Sequence, residues 1–115
     1  MANIGFIGAG NMGSAIMKGI SSSSLGNETS LFAFDPSTDK VQALADYGVS
    51  ACSSEKEIME KCKYVFLAVK PQIIEGVLEA ISAYTTKDTV IISIAAGIGD
   101  EFIAKKTISD AKVIL

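Results

Sequence analysis

Residues 3–20 read NIGFIGAGNMGSAIMKGI, and this stretch decides the fold. Asn3 to Ile7, with Ile4, Phe6 and Ile7 as its β-branched and aromatic members, reads as a buried strand. Met12, Ala15, Ile16, Gly19 and Ile20 then recur at i, i+3, i+4, i+7 and i+8, the spacing of a helix with one inward face. Between them lies Gly8-Ala9-Gly10-Asn11-Met12-Gly13, a glycine-rich turn too short for anything but a direct strand-to-helix connection.

The same alternation continues outward. Ser21 to Ser24 and Gly26-Asn27 end the first helix, and Ser30 to Phe34 forms the second strand. Val41, Leu44 and Ala45 make the next helical stripe, with Gly48 where a left-handed residue closes a helix. A short strand is expected near Val49 to Cys52. Ser53 or Ser54 caps a third helix, with Glu57 placed for a capping box and Ile58 and Met59 facing in. Tyr64 to Val69 is the fourth strand. Pro71 opens a helix whose stripe is Ile74, Val77, Leu78 and Ile81. Thr85 to Asp88 is a turn, Thr89 to Ile94 a fifth strand, Asp100 to Lys106 a short helix, and Lys112 to Leu115 a sixth strand. Near-continuously apolar strands separated by helices mean a parallel sheet covered on both faces. The expected fold class is α/β, a doubly wound parallel sheet forming one domain over residues 1–115.

Composition narrows the chemistry. The 115 residues carry a formal net charge of −3, and all 10 basic side chains are lysine. There is no histidine, so the usual base for a serine or cysteine nucleophile and the commonest metal ligand are missing. Without arginine, a phosphate or carboxylate must be held by lysines or backbone amides. The acidic balance argues against nucleic acid as a partner. Cys52 and Cys62 make neither a metal spacing nor a CxxC pair, and read as small buried residues in a reducing compartment. No metal is expected. The longest apolar run, Val90 to Ile98, is broken by Ser93 and Gly97 and falls far below the roughly 20 residues of a membrane span. The N-terminus lacks the features of a signal peptide, so a soluble cytoplasmic protein is expected.

The GxGxxG pattern gains weight from its context. It follows a strand, opens a helix, and is followed about 20 positions past Gly13 by Asp35 at the end of the next strand, where the dinucleotide-binding fingerprint of Rossmann-type domains expects an acid. Gly8 permits the tight turn, Gly10 lets the backbone approach a pyrophosphate, and Gly13 lets helix and strand pack closely. The amides of Asn11 and Met12 face an anion at the helix start. Residues 1–27 contain no acidic side chain, and their only charged one is Lys18, read as a solvated surface residue. Asp35 has two readings. It accepts the ribose hydroxyls of NAD, or it caps the following helix together with Ser37 after Pro36. Ser37, Thr38 and Lys40 offer hydroxyls and a positive charge to the extra phosphate of NADP, so the cofactor is NADP or NAD.

Ligands of open α/β sheets bind at the carboxyl ends of the strands. Two further ends are Ala68-Val69-Lys70-Pro71-Gln72 and Ser93-Ile94-Ala95-Ala96-Gly97. Both lack bulk, which leaves room for a flat ring. Lys70 is the one charge there, and it either meets an anion or is simply solvated. GAGNMG, AVKPQ and SIAAG together resemble the N-terminal domain of pyrroline-5-carboxylate reductase, and the resemblance runs from Met1 to Leu115.

That resemblance implies reduction of the cyclic imine 1-pyrroline-5-carboxylate to L-proline by NADPH or NADH, a step of proline biosynthesis. It implies that Ile7 to Gly13 hold the pyrophosphate, that Asp35 to Lys40 hold the adenosine end, and that Ala68 to Pro71, with Ala95 nearby, border the nicotinamide. It also implies a helical C-terminal domain that forms a homo-oligomer and completes the pocket for the imine carboxylate. The sequence stops at Leu115, short of that region, so the chain alone is expected to be inactive, and no catalytic residue is assigned. Two other readings stand beside this one: a stand-alone dinucleotide-binding or sensor module, and a related β-hydroxyacid or F420-dependent oxidoreductase.

Overall fold

A computed structural model describes residues 2–23, 28–86, 88–93 and 112–114. Its elements alternate along the chain: β1 (Ala2–Ile7), α1 (Asn11–Ser22), β2 (Thr29–Phe34), α2 (Thr38–Gln42) with a 3-10 turn at Ala45–Tyr47, and β3 (Val49–Ala51). Then come α3 (Glu55–Lys61), β4 (Tyr64–Leu67), α4 (Pro71–Ile81) with a 3-10 turn at Ser82–Tyr84, β5 (Val90–Ser93) and β6 (Lys112–Ile114). The strands form one sheet in the order β3-β2-β1-β4-β5-β6, and every recorded pairing is parallel. The order reverses between β1 and β4, where a crevice opens above the carboxyl ends. The doubly wound α/β expectation is met. The expected helix at Asp100–Lys106, and Ala95 with it, lie outside the described residues.

Alternation along the strands supplies two cores. Ile7, Val65, Leu67 and Ile91 face α3 and α4, where they meet Ile58, Ile74, Leu78 and Ile81, all nearly or fully inaccessible. Phe6, Leu31, Ala33 and Val49 face α1, α2 and the start of the 3-10 turn, where they meet Met17, Val41 and Leu44. Phe6 and Phe66, opposite each other on β1 and β4, stack with ring centroids 4.6 Å apart. Each fully buried aliphatic chain contributes roughly 1.5–3 kcal/mol, so the four-residue stripe of α4 is among the larger stabilising features. Both cysteines are buried free thiols. Burial and the neighbouring Cys52 push the Cys62 thiol up to about 12, which makes it inert as a nucleophile.

Two helices differ from the sequence expectation. The inward side of α1 is Gly13 and Met17, flanked by partly buried Ile16 and Ile20, whereas Ala15 and Gly19 are exposed and Met12 is 57% exposed. The cause is Gly13, which must abut the end of β4 and so rotates the whole helix. The helix expected through Val41, Leu44 and Ala45 breaks after one turn and tightens into a 3-10 turn, leaving Ala45 exposed. Gly48 ends that turn at φ 79°, as expected. Among the described residues, no helix is long and apolar enough to cross a membrane.

Candidate functional site

Parallel register brings three strand ends together. Ile7 pairs with Phe34 on one side and with Leu67 on the other, so the segments after β1, β2 and β4 emerge side by side. Their backbones interlock. The Gly8 amide donates to the Phe34 carbonyl at 2.8 Å, and the Ala68 amide donates to the Ile7 carbonyl at 2.9 Å. Gly8 sits at φ 106°, and a Cβ there would lie 2.6 Å from the Ala68 carbonyl oxygen, so only glycine fits the turn. A Cβ on Gly13 would lie 2.9 Å from Ala68 Cβ and 3.0 Å from the Gly8 carbonyl oxygen. That proximity lets α1 start directly above the turn.

Gly10 differs from both. Its backbone is extended at φ −75°, and a Cβ built there meets nothing within 4 Å. It is the N-cap of α1, it supplies no side-chain hydrogen bond, and the first turn carries no acidic residue. The positive end of a 12-residue helix is therefore uncapped by side chains and faces open space. The loop below it is already set. Ser14 Oγ donates to the Ala9 carbonyl at 2.9 Å, and the Ala9 amide donates to Asp35 Oδ2 at 2.8 Å. Asp35 Oδ1 accepts the Ser37 amide, also at 2.8 Å.

Two adjoining cavities flank Gly10. One of about 350 Å³ is lined by Gly8, Asp35, Lys40, Val69 and Lys70, with Ile73 and Val77 as an apolar wall. The other, about 500 Å³, is lined by Asn11, Ser14 and Lys18, and again by Lys40 and Lys70. Lys40 and Lys70 border both, so positive charge gathers around the bare helix end. A further depression of about 530 Å³ opens at the opposite end of the strands, ahead of β4 and β5, between Met59, Lys63, Tyr84 and Thr89. It contains neither a helix start nor a glycine turn, and its Cys62 is the thiol already described as inert.

Most residues singled out from the sequence meet at this one place. Ile7, Gly8, Gly10, Asp35, Ala68, Val69 and both lysines line the cavities, together with Asn11. Met12 projects outward, Gly13 is buried in packing, and Ser37 is exposed beside Asp35. Pro71 heads α4 at its first position. Lys18 is in the wall of the larger cavity, with its Nζ 5.3 Å from the Tyr47 ring centroid. Sequence reasoning missed Glu55, Ile73 and Val77. The available signal was Ile73, an apolar residue in the first turn of α4 that lies off the buried stripe and is 49% exposed. Ala68 to Lys70, expected at a separate end of the site, share the smaller cavity with Asp35 and Lys40.

The chain as a whole is similar to known proteins. Residues 3–97 match the family model described as NADP oxidoreductase, coenzyme F420-dependent. Pyrroline-5-carboxylate reductase of Escherichia coli (strain K12) is 40% identical over 112 residues, which is 96% of this chain and 42% of that protein. The crystal structure of Plasmodium falciparum pyrroline carboxylate reductase with NADP bound is similar at TM-score 0.81 and 30% identity, covering 97% of this chain and 40% of that one. The structure of a Coxiella burnetii pyrroline-5-carboxylate reductase is similar at TM-score 0.88 and 28% identity, covering 97% and 42%. The chain thus spans about two fifths of the length of these relatives.

Proposed function

The chain belongs to the family of NADP oxidoreductases described as coenzyme F420-dependent, and it is a pyrroline-5-carboxylate reductase-type N-terminal domain within that family; on that premise we propose that it holds the NADPH or NADH with which the whole protein reduces 1-pyrroline-5-carboxylate to L-proline. The observation that carries this reading is the bare, open N-terminus of α1 at Gly10. A diphosphate needs converging donors and close approach of the backbone, and this end offers both without arginine. The dinucleotide would supply the hydride.

The chain's own residues hold the cofactor and keep its site in shape. Gly8 and Gly13 fix the distance between turn, helix and β4, so the Asn11 and Met12 amides are in place before a ligand arrives. Val69, Ile73 and Val77 offer an apolar wall to the flat base, with Asp35 and Lys40 beside it for the ribose. Lys40 and Lys70 add positive charge on either side of the diphosphate. The imine carboxylate pocket and the proton for the ring nitrogen fall to the rest of the protein in this reading. This domain by itself would bind dinucleotide and turn over no imine, and the whole protein would serve proline biosynthesis. Calorimetric titration with NADH and NADPH tests the binding, expected to be saturable at one site. Loss of the reduced-nicotinamide absorbance, on adding the imine to this chain and cofactor, would contradict the division of labour.

A further inference from the structure

Four charged side chains line the smaller cavity, Asp35, Lys40, Glu55 and Lys70, and they fall into two groups. Lys40 and Lys70 line the larger cavity as well, so both stand at the boundary near Gly10, and both are exposed. Asp35 and Glu55 line the smaller cavity and not the larger one, and both are half-buried. Asp35 is engaged on both oxygens by the Ala9 and Ser37 amides. The Glu55 carboxylate forms no ion pair or hydrogen bond among the described residues.

Nor does α3 need Glu55 to begin. Ser54 caps it, and Glu57 reaches back to the Ser53 amide, so the helix start is closed without a further acid. A half-buried carboxylate has lost part of its water and can only accept, so an incoming N–H or O–H donor is what it lacks. The wall beside it is not suited to a sugar or a phosphate. The helices α3 and α4 lie on the same face of the sheet, and both start at the carboxyl ends of parallel strands. Glu55 and Ile73, each in the first turn of its helix, thus reach the cavity from one side, with Val69 and Val77 as further apolar surface. An apolar flat ring that carries a donor on its edge matches this combination.

We infer that the Glu55 carboxylate accepts a hydrogen bond from the exocyclic amino group of the dinucleotide's base, so that this chain reads adenine and not merely a flat purine. The inference rests on the dinucleotide reading above and adds a base preference to it.

The test is parallel titration of this chain with NADH and with reduced nicotinamide hypoxanthine dinucleotide, monitored by nicotinamide fluorescence. Hypoxanthine carries a carbonyl where adenine carries the amino group, which sets two acceptors against each other and leaves N1–H, one ring position away, as the donor. The wild type should bind NADH more tightly by about fivefold or more. Loss of a negative charge near an anionic ligand tightens both dinucleotides alike, so the ratio between them isolates the contact with the base. Glu55→Gln presents both a donor and an acceptor, and Glu55→Ala presents neither, so in each the ratio should fall towards one. Equal affinities in the wild type overturn the inference. A ratio that survives Glu55→Gln and Glu55→Ala places the discrimination elsewhere and also overturns it. If neither dinucleotide binds, the dinucleotide reading itself fails and takes this inference with it. The wild-type comparison decides the matter even if a variant does not fold.

Discussion

Two helix starts at the same end of the sheet are built in opposite ways. At α3, Ser54 Oγ accepts the Glu57 amide at 3.2 Å, and Glu57 reaches back to the Ser53 amide at 2.7 Å and the Ser53 hydroxyl at 3.1 Å. The same carboxylate pairs with Lys61 at 2.9 Å, and Glu55 adds a second acid to the first turn. At α1 there is no capping side chain, no acid and no Cβ at the N-cap. Both helices follow short turns from parallel strands. The difference teaches that the start of α3 is satisfied by its own chain, whereas that of α1 leaves its amides open to whatever lies above the glycine turn.

Substitutions that exchange the roles of these two ends should separate stability from binding. The largest effect is expected at Gly8→Ala. Positive φ and a backbone clash together should cost about 2–4 kcal/mol in urea unfolding. At Gly10→Ala, where φ is ordinary and the Cβ is free, the change should stay within about 0.5 kcal/mol. Next comes Gly10→Asp, which gives α1 the cap and charge that α3 already has. Its unfolding midpoint should not fall, while dinucleotide affinity drops by about a hundredfold. A parallel loss of both would mean that Gly10 is needed for folding and not for a ligand. Ser54→Ala should lower stability by about 1 kcal/mol and leave dinucleotide affinity unchanged.

The smallest effect concerns pH. Hydrogen bonds from Ser53, then the Lys61 ammonium, hold the Glu57 carboxyl down at about 2. Its folded value lies below the unfolded one of about 4.3, so its contribution is complete above that value. The contribution fades as pH falls towards about 2. The stability difference between wild type and Glu57→Gln should therefore be constant near neutrality and vanish across that acid window. A difference that persists at the acid end would show that the carboxylate charge is not its source.

What the sequence made legible was whatever a single element determines. The α4 stripe of Ile74, Val77, Leu78 and Ile81 follows from helical spacing alone, and all four are buried. The capping box was visible as Ser53-Ser54 and Glu57, although the two serines divide its bonds between them. What remained hidden depends on contacts between elements. The rotation of α1 is set by Gly13 against Ala68, residues far apart in the chain. Asp35 was read as either ribose acceptor or helix cap. It does hold the Ser37 amide, but its bond to Ala9 spans 26 positions and depends on the register of β1 with β2. The meeting of Val69 and Lys70 with Asp35 likewise requires knowing that β4 lies beside β1.

In the proposed reading, the open end of α1 receives a dinucleotide diphosphate and the closed end of α3 does not. Amide NMR spectra recorded during titration of this chain with NADH address both ends in one measurement. Large shifts are expected at Gly10, Asn11, Met12 and Gly13, and none at Ser53, Ser54 and Glu57. Equal shifts at the two ends, or none at the glycine turn in the presence of saturating nucleotide, would contradict it.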